Sequence, residues 1–402
     1  MECYMHQNFL IYMENYLTKI NEVVEKDIIP LENDFLLHGF LNVLPRLNEC
    51  REKVKKLGLW TPYLSTEYGG LGLTLLEFAK VSEILGKSLL GHYCFNSQAP
   101  DIGNIELLKD HANNELKEKF LSPLISGEIR SCFGMTEPQN PGSNPIWMDT
   151  VAIKDGSDYV INGNKWFTSA ADGASICVVM AVTDPDADNK YSRASMFVVP
   201  TDNPGFELVR NIPVMGEEGE NYTSHAETKI TDCRIPSTYM IGEAGQGFML
   251  AQERLGPGRI HHCMRWIGIC ERALDLMCKR VSSRELNPDK FLSEKQTVQN
   301  WIAESASEIY GARLMVMDCA KKVQKLQTKG ARKEISIIKL CVADVLMKVL
   351  DRAIQSHGAL GITDYTPLAY WYRHERGARI YDGADEVHKN LIARTILKNY
   401  ID

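Results

Sequence analysis

The 402-residue chain is predicted to be an α+β multidomain protein with an N-terminal all-α domain, a middle β-barrel domain and a C-terminal four-helix bundle. Helical periodicity dominates the first 130 residues, short β-rich runs separated by turns fill 131–242, and long stretches without helix breakers fill 243–402. We therefore predict domains at residues 1–130, 131–242 and 243–402. A chain of this length commonly forms two or three domains.

The N-terminal domain is predicted from apolar residues at three- and four-residue spacing, the pattern of an amphipathic helix. Pro30 is expected to end the first helix because proline has no backbone N–H. Similar patterns follow at residues 47–57, 75–90 and 116–121. The apolar positions of the first helix are Met13, Tyr16, Leu17, Ile20, Val23 and Val24.

Turn residues divide the middle domain into short strands. Asp155-Gly156 and Asn162-Gly163-Asn164 lie between β-rich runs and predict hairpin turns. Residues 176–182 and 195–199 have the composition of buried strands. Several short strands at this spacing predict a small barrel or sandwich.

The C-terminal domain is predicted to contain helices at 259–281, 298–326, 334–355 and 386–399, enough for a four-helix bundle. Gly256-Pro257-Gly258 is expected to precede the first of them and to leave Arg259 in its first turn. A cation there opposes the helix dipole, which suggests a ligand or an acidic neighbour. Adjacent His261, His262 and Cys263 point in different directions on a helix, so no metal site is expected.

Composition and charge exclude several classes of function. The chain has 45 Lys and Arg against 52 Asp and Glu, a formal net charge of −7, which gives no reason to expect nucleic acid as a partner. The longest apolar run, Ile176 to Val182, is too short for a transmembrane segment. Eleven scattered cysteines without a CxxC pair indicate an intracellular, reducing compartment, and no clear targeting signal is visible.

Two segments of the middle domain suit a flat ligand with a polar edge. Residues 133–138, followed by Gly142-Ser143, offer hydroxyls and backbone N–H groups, although a surface loop rich in proline and glycine is the more ordinary explanation for this segment taken alone. Trp166-Phe167-Thr168 offers two aromatic rings and a hydroxyl. The alternative there is a strand that places Trp166 in the core.

Two further segments lie near the end of the chain. Gln355 to Gly361 either caps a helix through Gly358 or binds a phosphate or adenosine group. Tyr381-Asp382-Gly383 either begins the last helix as an N-cap or presents a carboxylate that acts as a general base. The sequence alone leaves both choices open.

In this order and spacing, the motifs resemble those of the acyl-CoA dehydrogenase family, from about residue 14 to residue 399. The strongest segments are Met135-Thr136-Glu137-Pro138 with Gly142-Ser143, Trp166-Phe167-Thr168, Gln355 with Gly358, and Tyr381-Asp382-Gly383. Residues 256–263 resemble the subgroup of family members ten and eleven, in its dehydrogenase part only and without a kinase domain.

The resemblance implies a flavoprotein that uses FAD in fatty acid β-oxidation. Asp382 would remove the α-proton of an acyl-CoA while the β-hydride passes to flavin N5, which yields a trans-2-enoyl-CoA. It also implies a homotetramer or homodimer, electron-transfer flavoprotein as acceptor, a mitochondrial or peroxisomal location, and a long or branched acyl chain. The implied cofactor contacts are Phe133, Met135, Thr136, Ser143, Trp166, Phe167 and Thr168, with Arg284, Gln355 and Gly358 reaching the FAD of a neighbouring subunit. The implied substrate contacts are Ser143, Arg259, Tyr381 and Gly383.

Several positions depart from the family pattern. The base is Asp382 where most members have Glu, and Ala384 replaces a Thr. Asn287 and Pro288 occupy the place of a Phe-Gly pair, and Asp289 adds a negative charge where a pyrophosphate is expected. A flavin oxidase of the acyl-CoA oxidase or nitroalkane oxidase type, and a catalytically lapsed binding protein, therefore remain alternatives.

Overall fold

The computed structural model describes residues 2–400, with side chains from residue 13 onward, and shows the predicted order of helices, sheet and helices. The periodicity of the first segment produces a long helix, which passes through a wider turn into a short 3-10 turn that contains Pro30. The helices before the sheet are α1 (Glu2–Val23), α2 (Glu32–His38), α3 (Phe40–Lys56), α4 (Leu75–Gly86), α5 (Gly91–Cys94), α6 (Asp101–His111), α7 (Asn114–Leu116) and α8 (Ser122–Ser126).

The middle segment forms one eight-stranded sheet in the order β6-β7-β3-β2-β4-β5-β8, with β1 paired to β4 in parallel. The two predicted buried strands are confirmed as β4 and β5, whose antiparallel pairing forms the apolar centre of the sheet. The strands are β1 (Ser131–Gly134), β2 (Val151–Asp155), β3 (Asp158–Ser169), β4 (Ile176–Val182), β5 (Ala194–Pro200), β6 (Phe206–Asn211), β7 (His225–Pro236) and β8 (Met240–Ile241).

One of the two predicted hairpins is confirmed and the other is wrong. Asp155 and Asp158 pair across the turn that contains Gly156, at a φ of 63°. Gly163 instead lies inside β3, beside a shift in the register with β7. A Cβ at Gly163 would lie 2.2 Å from the Thr150 hydroxyl oxygen. This glycine therefore permits a close approach between chain segments and does not form a turn.

The C-terminal helices are longer than predicted. The first runs from Gly247 through Pro257, so Arg259 lies in the helix interior and the prediction of a first-turn position is wrong. The apolar stripe of the third long helix is buried at Ile335, Ile338, Val342, Leu346 and Val349. These helices are α9 (Gly247–Ser283), α10 (Gln296–Gly330), α11 (Arg332–His357), α12 (Pro367–Glu375) and α13 (Asp385–Leu397), with a hairpin of β9 (Glu285–Asn287) and β10 (Lys290–Phe291) after α9.

The described chain divides into two compact units. One contains the residues up to 97 and those from 259 onward, and is helical apart from the small β9–β10 hairpin; the other contains residues 98–258 and includes the eight-stranded sheet. The domain boundaries predicted at 130 and 242 stay predictions. Among the described residues, no helix is both long and apolar enough to cross a membrane.

Candidate functional site

An aromatic pair lies at the end of β3 in the sheet unit. Trp166 and Phe167 meet edge to face with ring centroids 5.1 Å apart, and 45% of Phe167 is exposed. Phe167 has a φ of 50°, at a shift in the β3–β7 register, and this local twist turns its ring out of the sheet. An exposed phenylalanine beside a half-buried tryptophan offers apolar surface to a planar ligand.

The segment after β1 lies against this pair through its backbone. The carbonyl of Met135 accepts from Lys165 Nζ at 3.1 Å, and the carbonyl of Thr136 accepts from the Trp166 N–H at 3.0 Å. These bonds bring together two motifs that are about 30 residues apart in the sequence. The ring of Phe133, by contrast, packs against the Arg254 guanidinium at 4.0 Å.

Thr136 and Gly142 line a small concavity on the segment after β1 whose backbone bonds to Trp166. A Cβ at Gly142 would lie 3.2 Å from the Thr136 methyl, so only glycine leaves this approach open. Within residues 13–400 the half-buried Thr136 hydroxyl makes no hydrogen bond, and the next residue after the glycine, Ser143, is exposed. An available hydroxyl on the segment that bonds to Trp166 fits a cofactor that is flat and polar at one edge.

Thr168 has a different environment from the one that the motif suggested. Its side chain is fully buried and its hydroxyl lies 3.3 Å from the Thr228 hydroxyl. The hydroxyl would have to turn away from Thr228 to reach a ligand. Its cofactor role stays a prediction.

A buried ion pair that the sequence did not predict lies next to the segment after β1. Lys165 Nζ lies 2.8 Å from Glu137 Oε1, and both side chains are almost completely buried. The second oxygen of Glu137 accepts from Asn140 and from the Asp149 N–H. Burial alone would raise the pKa of Glu137, but the Lys165 ammonium and these hydrogen bonds lower it to about 2.

In the helical unit, Asp382 lies on a turn with an unusual backbone. Asp382 has a φ of 55° and Gly383 a φ of 101°, whereas Ala384 occupies the extended N-cap position and α13 begins at Asp385. Asp382 is therefore not the N-cap, whereas the acidic first turn expected in that alternative is confirmed at Asp385 and Glu386. A carboxylate on a left-handed residue outside the helix requires a turn that its surroundings stabilise.

Side chains from three helices bind the backbone of this turn. Arg259 Nε donates to the Asp382 carbonyl at 2.7 Å, and His388 Nε2 lies 3.3 Å from the same oxygen. Lys339 Nζ donates to the Gly383 carbonyl at 2.8 Å. The carboxylate itself makes none of these bonds, and 18% of the Asp382 side chain is exposed.

His262 and Tyr381 line the buried side of the Asp382 carboxylate. His262 Nε2 is 3.5 Å from Asp382 Oδ2, and its ring stacks on Trp266. Burial lowers the pKa of His262 to about 4, so its imidazole is neutral at pH 7. The Tyr381 hydroxyl lies 3.3 Å from Glu375 Oε2, and the Tyr381 ring centroid is 5.0 Å from that of His262.

Three family models match this chain along its length. They are the acyl-CoA dehydrogenase N-terminal domain over residues 14–128, the middle domain over 132–233 and the C-terminal domain over 245–397. The protein named "Probable acyl-CoA dehydrogenase FadE2" from Mycobacterium tuberculosis is 44% identical over 88% of this chain and 86% of its own length. The chain belongs to the acyl-CoA dehydrogenase family. Membership supports an oxidoreductase, is consistent with acyl-CoA dehydrogenation, and implies a flavin cofactor.

Other members of the acyl-CoA dehydrogenase family are longer than this chain. Acyl-CoA dehydrogenase family member 11 of Gallus gallus is 38% identical over 95% of the chain, which spans 50% of that protein. Family member 10 of Mus musculus is 40% identical over 94% of the chain, which spans 36% of that protein. The resemblance to the subgroup of members ten and eleven is confirmed.

Solved structures of the family share the fold. A chain from Mycobacterium abscessus is 34% identical with a TM-score of 0.92, covering 97% of this chain and 99% of its own. Butyryl-CoA dehydrogenase from Megasphaera elsdenii is 26% identical with a TM-score of 0.81, covering 96% and 98%. A chain from the structure of an electron transferring flavoprotein of Acidaminococcus fermentans is 27% identical with a TM-score of 0.84, covering 96% and 98%.

Three residues that the family resemblance assigns to a neighbouring subunit's FAD lie on the surface of the helical unit. Arg284, Gln355 and Gly358 are exposed, and Gly358 ends α11 with a φ of 62°. The departure at Asn287 and Pro288 forms the β9–β10 hairpin, with Asp289 at a φ of 59°. The roles of these residues stay predictions.

Proposed function

We propose that the chain is an FAD-dependent acyl-CoA dehydrogenase in which Asp382 removes the α-proton of an acyl-CoA thioester. The conformation of Asp382 is the observation that carries this proposal. Asp382 is neither a helix cap nor a partner in a tight ion pair. Its part-exposed carboxylate extends from a turn in which the Asp382 and Gly383 carbonyls, and not the carboxylate, accept the hydrogen bonds of Arg259 and Lys339. A carboxylate with this freedom is able to accept a proton from a bound substrate.

The sheet unit supplies residues that fit the flavin. The exposed ring of Phe167 and the half-buried ring of Trp166 would lie against the isoalloxazine system, and the Thr136 hydroxyl would donate to its polar edge. Gly142 leaves room for that edge to approach. A bound flavin would supply the acceptor for the β-hydride. Ser143, Arg284, Gln355 and Gly358 remain proposed contacts of FAD.

The helical unit supplies the proton chemistry. The α-proton would move to a carboxylate oxygen of Asp382 as the α-carbon loses its bond to hydrogen, and loss of the β-hydride would complete a trans-2-enoyl-CoA. His262, neutral at pH 7, leaves the carboxylate without an ion-pair partner on its buried side. Tyr381 and Gly383 would border the acyl chain, because both flank the base in the turn.

The proposed function also has consequences for the local charges of the chain and for its binding partners. FAD and CoA are polyanions, while the chain has a net charge of −7, so local cations such as Arg259 and Arg284 must compensate. The similarity to a chain from an electron-transferring flavoprotein structure supports an electron acceptor of that kind. A role in fatty acid β-oxidation, a homo-oligomeric state and a mitochondrial or peroxisomal location are parts of the proposal that rest on family resemblance.

An absorbance measurement tests the proposed function. The purified protein, incubated with FAD and then gel filtered, is expected to retain the flavin absorbance bands. Those bands are expected to bleach on anaerobic addition of acyl-CoAs of graded chain length. A protein that stays colourless after this treatment would contradict the proposal and favour a lapsed binding protein. Bleaching followed by rapid oxygen uptake would favour the oxidase instead.

A further inference from the structure

One buried cation beside the Asp382 turn has no direct carboxylate partner. The Lys339 side chain is fully buried on α11, in line with the apolar stripe of that helix. Within residues 13–400, no carboxylate oxygen lies within 4.0 Å of its ammonium. Burying an unpaired ammonium costs free energy, whereas a leucine at this position would not carry that cost. The hydrogen bonds of Lys339 therefore indicate a role that a leucine could not fill.

The Lys339 ammonium donates to both ends of the segment that carries Asp382. Its Nζ atom donates to the carbonyl of Ala378 at 2.6 Å and to the carbonyl of Gly383 at 2.8 Å. The two acceptors lie on either side of Tyr381 and Asp382, and Nζ is 5.8 Å from the Tyr381 ring centroid. One group thus fixes the start and the end of the turn.

The charge of Lys339 also acts on Asp382. Burial lowers the pKa of Lys339, and Asp382 is the largest of the charges that raise it again. Charges attract over short distances in a low-dielectric interior even without contact, so the ammonium acts as a counter-charge to the carboxylate. The titratable and charged groups that interact with Asp382 are Arg259, His262 and Cys263 from α9, Lys339 from α11, Tyr381 beside it in the turn, and His388 from α13.

We propose that Lys339 is a positioning residue for the proton-abstracting carboxylate: it binds the Ala378 and Gly383 carbonyls, fixes the left-handed turn of Asp382, and places a buried positive charge beside it. This inference rests on the proposed role of Asp382 as base. A base that must meet one carbon–hydrogen bond depends on placement, and a displacement of about 1 Å costs on the order of 100-fold in rate.

Two variants separate the contribution of the hydrogen bonds from that of the charge. Lys339→Met removes both and keeps a long apolar side chain, whereas Lys339→Gln keeps an amide donor without the charge. The matched control is Lys348→Met, an exposed lysine on the same helix that pairs with Asp344 at 2.7 Å. All rates are to be normalised to bound flavin, so that loss of folded protein does not count as loss of catalysis.

For Lys339→Met we expect kcat and kcat/KM for flavin reduction to fall together by about 100-fold, since the lost contribution acts in the transition state. Hydrogen exchange of the backbone amides of residues 378–384, measured by mass spectrometry without substrate, is expected to be about tenfold faster. For Lys339→Gln we expect slower exchange than in Lys339→Met. In both variants the acidic limb of the kcat/KM profile should move to higher pH, because the carboxylate has lost a counter-charge. Lys348→Met should match the wild type in all three measurements.

The outcomes distinguish this inference from the proposed function. If Lys339→Met and Lys339→Gln retain the wild-type rate per bound flavin and the wild-type pH profile, Lys339 only fills the core and the inference is wrong. If the variant Asp382→Asn retains turnover, the base assignment itself is wrong, whatever Lys339 does. An inactive Asp382→Asn beside fully active Lys339 variants would overturn the inference alone.

Discussion

The backbone conformation of Asp382 depends on side chains from other parts of the chain. This conformation is rare for a residue with a side chain, and Arg259, Lys339 and His388 bind the carbonyls around it. The sequence motif predicted the carboxylate but not these three partners, because they lie on helices up to 123 residues away. A lone lysine inside the apolar stripe of α11 was the available signal for Lys339.

The local sequence pattern before Arg259 predicted a helix start, but the observed helix begins earlier in the chain. Gly256, Pro257 and Gly258 are typical of a helix start, yet α9 begins at Gly247. Proline removes one hydrogen bond, which tertiary packing of a long helix is able to offset. The dipole argument for Arg259 therefore does not apply, and its observed partner is the Asp382 carbonyl.

Replacing Thr136 tests the cofactor site at the scale of one hydroxyl. Thr136→Ala removes a hydroxyl that is available for a ligand, and we expect FAD affinity to fall by roughly 1 kcal/mol, about a fivefold rise in Kd. The matched control Thr136→Ser keeps the hydroxyl and should bind as the wild type does. Equilibrium titration of the apoprotein with FAD measures both. Equal affinities for all three proteins would remove Thr136 from the site.

The Glu137–Lys165 pair gives a pH dependence of stability. The folded pKa of Glu137 is about 2, below its ordinary value of 4.5, so its contribution is present above pH 4.5 and is lost as the pH falls towards 2. We expect the free energy of unfolding in urea to fall over this range, and to fall less steeply in Glu137→Gln, which starts from a less stable protein at pH 7. An identical pH dependence in both proteins would contradict this.

At the scale of elements, the sequence predicted strands better than turns. Runs of β-branched and apolar residues predicted β4 and β5, because a strand buried on both faces is apolar throughout. The turn predicted at Gly163 failed because glycine serves close approach as well as turns, and only the position of Thr150 in space distinguishes the two. Similarly, Glu137 and Lys165 give no local sign that they form a pair.

Gly383 tests the turn before α13. Its φ of 101° is strained for any other residue, and a Cβ would lie 2.8 Å from His388 Nε2. We expect Gly383→Ala to lower the free energy of unfolding by about 1–3 kcal/mol. Gly311→Ala is the matched control, because a Cβ at that point of α10 meets open space, and it should stabilise by about 0.5–1 kcal/mol. Thermal or urea unfolding measures both, and a Gly383→Ala variant as stable as the wild type would contradict the observed turn.

For the whole molecule, composition limited the classes of function to be considered, and the fold limited them further. Dispersed turn signals and helical periodicity were enough to predict the order of helices, sheet and helices, because each element carries its own pattern. The proposed assignment of residues to FAD and to acyl-CoA rests on the family resemblance. The acidic net charge sharpens one question, namely how a chain with seven excess negative charges would bind the two polyanions of the proposal, FAD and CoA.

Cofactor binding should be visible in the stability of the whole molecule. A ligand that binds only the folded state at 100 times its Kd stabilises by about 2.7 kcal/mol. We expect FAD to raise the thermal midpoint of the apoprotein by several degrees, and FMN, which lacks the adenosine half, to raise it less. Equal midpoints with FAD, with FMN and without flavin would contradict a flavin site that includes Arg284 and Gln355.

Removal of the α-proton by Asp382 in a flavin-dependent dehydrogenation is the step on which the proposed function depends. Its most direct test is the rate of flavin bleaching by an acyl-CoA under anaerobic stopped-flow conditions, in the wild type and in Asp382→Asn, both loaded with FAD. We predict that the variant retains the flavin spectrum and binds acyl-CoA, while bleaching slows by about 10²–10⁴-fold, the contribution of a general base. Bleaching at the wild-type rate in Asp382→Asn would contradict this step.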